Sequence, residues 1–113
     1  MFKRQLLFPF LAILLSAFPA FGFAQQETAT ITGTVRDQSG AVVPRATVTV
    51  TNVQTNISVK TESDDAGSFV IPSLRPGEYS VTAESSGFPK IIRTGVTLQV
   101  AQVARIDMTL QAG

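Results

Sequence analysis

Few residues of this chain could do chemistry, and their types exclude more than they allow. Its 113 residues contain no histidine and no cysteine. Imidazole acid–base steps and thiol nucleophiles are therefore absent, and a zinc centre built on histidines has no ligands to draw on. No cofactor is expected. The one pair of adjacent carboxylates is Asp64-Asp65. It reads either as a calcium or acid–base pair, or as a turn-capping aspartate beside a solvated one. Neighbours on an extended chain point to opposite faces, and these two open a turn, which favours the second reading. Beyond residue 24 the aromatic residues are Phe69, Tyr79 and Phe88. A sugar platform wants exposed rings. Phe69 and Tyr79 fall on an inward register, whereas Phe88, between Gly87 and Pro89, is either a loop contact for a ligand or a plug at the edge of the core. Arg75, Arg93 and Arg105 are scattered, and no glycine loop leads into a helix to cradle phosphate. The triplet Asn56-Ile57-Ser58 fits a glycosylation acceptor, and we read it as a chance match.

The elements that would position these residues are strands. Alternation of period two dominates the chain after residue 28, and no segment there shows the 3.6-residue spacing of a helix. In Ala29-Thr30-Ile31-Thr32-Gly33-Thr34-Val35 the odd positions are apolar or small and the even ones are threonine. Ala46, Val48 and Val50 alternate with Thr47, Thr49 and Thr51; Ile57 and Val59 with Ser58 and Lys60. Phe69 and Ile71 make a short fourth run. Tyr79, Val81 and Ala83 follow, then Val96, Leu98 and Val100, then Ala104, Ile106, Met108 and Leu110. Seven short strands at intervals of about 8 to 12 residues predict an all-β, antiparallel Greek-key sandwich. Phe69, Tyr79, Ile106 and Met108 should be sensitive core positions. The thirteen threonines beyond residue 24 are explained by strand propensity without a special surface.

Three turns punctuate these runs: Asp37-Gln38-Ser39-Gly40, Asp64-Asp65-Ala66-Gly67 and Leu74-Arg75-Pro76-Gly77. Aspartate caps local donors at the start of the first two, and glycine accepts positive φ at their end. Proline before glycine in the third predicts a type II turn. Each is expected to close a hairpin, which makes Gly40, Gly67 and Gly77 fold-determining positions.

The first two dozen residues are of another kind. Lys3 and Arg4 precede an apolar run from Leu6 to Phe18, broken by Pro9 and Ser16, and Gly22 and Ala24 stand before Gln25. This is the layout of a cleaved secretory signal over residues 1–24, too short to span about 30 Å of hydrocarbon comfortably. Its removal leaves seven basic against eight acidic residues. The remaining chain is then slightly acidic, with no basic patch to attract nucleic acid. Without cysteine, the core alone must stabilise the fold in an oxidising compartment, and a lipid-modified cysteine at the cleavage site is excluded.

At its turns the chain resembles the carboxypeptidase regulatory-like domain, a transthyretin-like, carbohydrate-binding-like sandwich. The carrying residues are Gly33-x-Val35-x-Asp37-x-x-Gly40, Pro44-x-Ala46-x-Val48, Thr61-x-x-x-Asp65-x-Gly67-x-Phe69, Leu74-x-Pro76-Gly77-x-Tyr79-x-Val81 and Gly87-Phe88. The domain then runs over residues 29–110. These are turn formers and core anchors, so the resemblance speaks to fold before chemistry. It implies a non-catalytic appendage of the kind found beside zinc carboxypeptidases, or directly after the signal in TonB-dependent outer-membrane receptors. A plug and barrel follow it in those receptors, whereas this sequence stops at Gly113, as a free-standing module or the first piece of a longer receptor.

The function expected is a non-enzymatic, extracytoplasmic interaction module of the bacterial cell envelope. Its partner would be an envelope protein or glycan, met in the periplasm, at the outer membrane or outside the cell. Membrane association would come only through a larger receptor or an uncleaved signal. The alternative is a carbohydrate-binding module of a secreted protein, with Phe88 as its contact.

Overall fold

A computed structural model describes residues 27–112 of the chain. The secretory leader expected at residues 1–24 lies outside the described residues. The described chain is a sandwich of two sheets built from eight strands, with no helix among them. These are β1 (Ala29–Asp37), β2 (Thr47–Asn52), β3 (Ser58–Glu62), β4 (Ser68–Leu74), β5 (Gly77–Ser85), β6 (Phe88–Leu98), β7 (Val103–Arg105) and β8 (Met108–Leu110). One sheet runs β4-β1-β7, with β8 also paired to β1; the other runs β3-β2-β5-β6.

Alternation places the core as expected along the central strands. Ile31 and Val35 of β1, Val48 and Val50 of β2, Phe69 and Ile71 of β4, Tyr79 and Val81 of β5, and Leu98 of β6 are all buried between the sheets. Met108 and Leu110 of β8 and Ile106 just before it complete this layer. The threonines opposite them on β2 stay half-exposed.

Four details differ from the sequence reading, each for a local reason. The final run divides into β7 and β8 around Ile106-Asp107, and both pieces pair with β1 in parallel. The sixth strand begins at Phe88, eight residues before the alternation starts at Val96. Register shifts opposite Tyr79/Val81 and Ala83/Ser85 mark bulges. Each bulge breaks the period of two and so hides this stretch in the sequence. Val100, expected inward, lies beyond the end of β6 and is exposed.

The glycine turns are the fourth. They stand mainly where the chain crosses from one sheet to the other. Gly67 lies between β3 and β4, and Gly77 opens β5 directly after β4. Gly40 turns the end of β1 back onto Val42, which bridges Arg36, before the chain leaves for β2. The hairpins within the second sheet are closed elsewhere, by 53–57 and by Ser86-Gly87. Nor is Arg75-Pro76-Gly77 a type II turn: Gly77 has φ 153, far from the +80° that turn requires.

Candidate functional site: an open seam between two edge strands

The turns are built by the same device three times. One oxygen of Asp37 accepts the N–H of Ser39 at 2.9 Å, its hydroxyl at 2.6 Å and the N–H of Ala41 at 3.1 Å. Asp64 accepts Ala66 and Ser68 N–H, both at 2.9 Å. Asn52 does the same for Gln54 and Thr55. The hydrogen bond from the Ser39 side chain, with those from nearby N–H groups, holds the Asp37 carboxyl below the usual carboxylate range of 3.8. Asp65, beside Asp64, is solvated and meets Arg45 at 3.4 Å. The carboxylate pair therefore has the turn-capping geometry, and the described residues hold no group of three metal-ligating side chains.

Two features of the core escaped the sequence reading. Ser63 is buried, donates to Val43 O at 2.7 Å and accepts Ala46 N–H at 2.8 Å, tying the β1–β2 crossing to the end of β3. Gly33 faces the Ile106 carbonyl and the Phe69 ring so closely that a methyl group would collide with both. The first had no signal in the sequence. The second did: a lone glycine inside an alternating strand marks close backbone approach.

Phe88 opens β6, half-buried and packed against the core. Its ring stands between two grooves. One, of about 320 Å³, is lined by Arg45, Thr47, Glu84, Ser85, Ser86 and Lys90; the other, of about 210 Å³, includes Asp37 and Ser39. Gly40, Gly67 and Gly77 are spread over separate connections and do not meet Phe88 in one site.

A further opening lies at the far end of β2 and β5. A cleft of about 190 Å³ is lined by Asn52, Thr55, Ile57, Val59, Ser73, Leu74, Arg75 and Tyr79. It sits where edge strand β3 meets edge strand β4 of the facing sheet. Val59 pairs with buried Val50 and so shares its inward face. Yet Ile57 is 65% and Val59 42% exposed, although they are the apolar members of an alternating run. The register is as expected, but at this edge the facing sheet does not cover them. Tyr79 forms one wall, anchored by its hydroxyl donating to Arg75 O at 2.7 Å. The guanidinium of Arg75 has no ion pair or hydrogen bond among the described residues. The opposite seam is clasped: Arg93 of β6 donates to Asp107 O at 3.1 Å, just before β8. The open seam offers apolar contact, one free cation and unpaired strand backbone, a surface for holding a chain.

The family model of the carboxypeptidase regulatory-like domain matches residues 30–111. The chain belongs to that family. No curated protein sequence matches it closely enough to count as a relative. Among solved structures, the Bacillus anthracis TIE protein superposes with a TM-score of 0.65 at 16% identity, over 76% of this chain and 17% of that one. Hydroxyquinol 1,2-dioxygenase from Pseudomonas putida gives 0.62 at 13% identity, over 81% and 59%. A Bacteroides uniformis protein, described as a candidate carbohydrate-binding protein, gives 0.60 at 16% identity, over 76% and 42%. At such identities the likeness is one of fold. This chain spans between about a sixth and three fifths of those structures. As a carboxypeptidase regulatory-like domain it is a regulatory or binding-type module by family, whose described residues assemble turns and a core.

Proposed function

We propose that this carboxypeptidase regulatory-like domain is a non-enzymatic interaction module of the bacterial cell envelope, acting after export and serving a partner protein. The observation that carries the reading is the use to which the polar groups are put. Asp37, Asp64, Asn52, Ser63 and Asp107 each commit one side-chain oxygen to backbone N–H groups of the fold. Their geometry is that of turn caps and backbone ties. The basic, apolar and small-residue order of residues 1–24 supports export. Similarity to the domain that precedes TonB-dependent receptors supports a place at the outer membrane. Cell fractionation with chemical cross-linking in intact cells tests this. The reading expects an exported chain held in a complex with an envelope protein. A chain that stays in the cytoplasm, or is exported and cross-links to nothing, contradicts it.

A second reading has one observation in its favour. The groove beside Phe88 sets a half-buried ring among polar and charged side chains, the combination sugar sites use. Glycan binding there would shift the NMR signals of Phe88 and Lys90 during titration with envelope polysaccharides. Unmoved signals across a broad panel would dismiss it.

A further inference from the structure

We propose that the free edge of β3 receives an extended segment of a partner protein as an added strand, with apolar side chains in the adjoining cleft and a carboxylate on Arg75. This rests on the interaction-module reading above and names the surface and the chemistry it selects.

The two sheets present four edges. β6 carries two bulges and Pro89 near its start. β4 has a register shift at its β1 pairing, contains Pro72 and holds Ser73 at φ 63. β7 and β8 are three residues each. All these devices discourage a strand from adding to an edge. β3 lacks them: its five residues pair with β2 in unbroken register, from Thr51↔Ser58 to Thr47↔Glu62. Lys60 is its one cation, and it lies on the outer face.

Backbone alternation fixes which groups are free. Asn52 donates to Ile57 O, and Ser63 donates to Ala46 O. Hydrogen-bonded pairs recur every second residue, so Val59 and Thr61 also face β2. The N–H and C=O groups of Ser58, Lys60 and Glu62 then face outward, ready for a ladder.

The cleft supplies selectivity. Its volume of about 190 Å³ exceeds the roughly 150 Å³ of an apolar cavity that accepts benzene. It therefore has room for a branched aliphatic or phenyl side chain. A strand added to β3 directs every second side chain to the face of Ile57 and Val59. Charge complementarity comes from Arg75, a residue lining this cleft whose guanidinium is unpaired among the described residues. The fitting partner is an extended segment alternating apolar and polar residues, with an acidic side chain or terminal carboxylate at one end.

The test uses the full chain, exported with its own leader and isotope-labelled. The probe is a capped octapeptide of alternating valine and threonine with one glutamate near its end. Two controls accompany it: lysine in place of the glutamate, and N-methyl groups at alternate residues. The glutamate peptide should shift the amide signals of Ser58, Lys60 and Glu62 and the methyl signals of Ile57 and Val59. Arg75→Ala should weaken it about two- to fivefold, as expected for an exposed ion pair, and leave the lysine peptide unchanged. Lys60→Pro removes an outward N–H that β2 does not use, so the sheet stays paired while peptide binding falls at least tenfold. If that variant does not fold, the N-methylated peptide decides, and it should not bind. No shift at millimolar peptide, shifts confined to β4, β6 or the Phe88 grooves, or equal binding of the N-methylated peptide each overturn the proposal. So does concentration-dependent dimerisation through β3 without peptide, which would make a second copy the occupant. A chain that fails here but still cross-links to an envelope protein sinks this surface and leaves the interaction module standing.

Discussion

The carboxylate of Asp107 accepts the backbone N–H of Thr34 at 3.0 Å, across 73 positions of sequence. It does so where the last run breaks between β7 and β8, and it takes the place of a ladder carbonyl for the middle of β1. Arg105 braces the arrangement, reaching Asp107 Oδ2 and the Thr34 hydroxyl, each at 3.2 Å. Asp107→Ala leaves a largely buried donor without its acceptor and should lower stability by about 1–2 kcal/mol. Asp107→Asn keeps an acceptor and should lose less. Urea unfolding of the two variants measures the difference; equal losses would mean that the acceptor is not what matters.

Ser63 makes a sharper case, because both its partners are backbone and both are interior. Ser63→Ala strands the Ala46 N–H and the Val43 carbonyl in the β1–β2 crossing. A loss of about 1–3 kcal/mol is expected. Hydrogen exchange at Ala46 should accelerate more than at the β5–β6 pairing. Uniform acceleration would point to general loosening.

The two Asp-to-Gly turns look alike in sequence but should respond differently to a methyl group. Gly40 has φ 91 and open space around its missing Cβ. Gly67 has φ 78, and a Cβ there would come within 2.8 Å of Val35 O and Val42 Cβ. Gly40→Ala should cost about 1–2 kcal/mol from backbone strain alone. Gly67→Ala adds a steric cost of about 1–3 kcal/mol. Thermal unfolding that ranks them the other way would contradict the packing described here.

Acid should act through Asp37. Its folded pKa lies below the ordinary 3.8 because Ser39 and its neighbours bond the charged form. A depressed pKa contributes stability that is present above the unfolded value and is lost as pH falls through the folded one. Asp37→Asn removes this dependence. The gap between wild type and variant should therefore hold above pH 3.8 and close below it. A gap unchanged down to strong acid would exclude the carboxylate as its source.

Sequence patterns report some features of this fold and are blind to others, for physical reasons. Alternation reports the face of a residue, and Ile31, Val48, Phe69 and Tyr79 lie buried on the face it indicates. It does not report whether a strand lies at an edge, which is why Ile57 and Val59 kept their register and lost their cover. Bulges erase the period, so the first half of β6 was missed. Aspartate and glycine announced the turns, but local chemistry does not say whether a turn ends in the same sheet or the opposite one. The Ser63 and Asp107 bonds join segments far apart in sequence and had no local pattern to betray them. The open seam was invisible for the same reason: it exists only once β3 and β4 lie side by side.

Export and assembly with an envelope protein are both decided by a single observation. It is the N-terminal residue and cellular fraction of the chain recovered from cross-linked complexes in intact bacteria. An exported module gives a chain that starts at Gln25, in the envelope fraction, joined to an envelope protein. A chain that begins at Met1, uncomplexed in the cytoplasm, would contradict it.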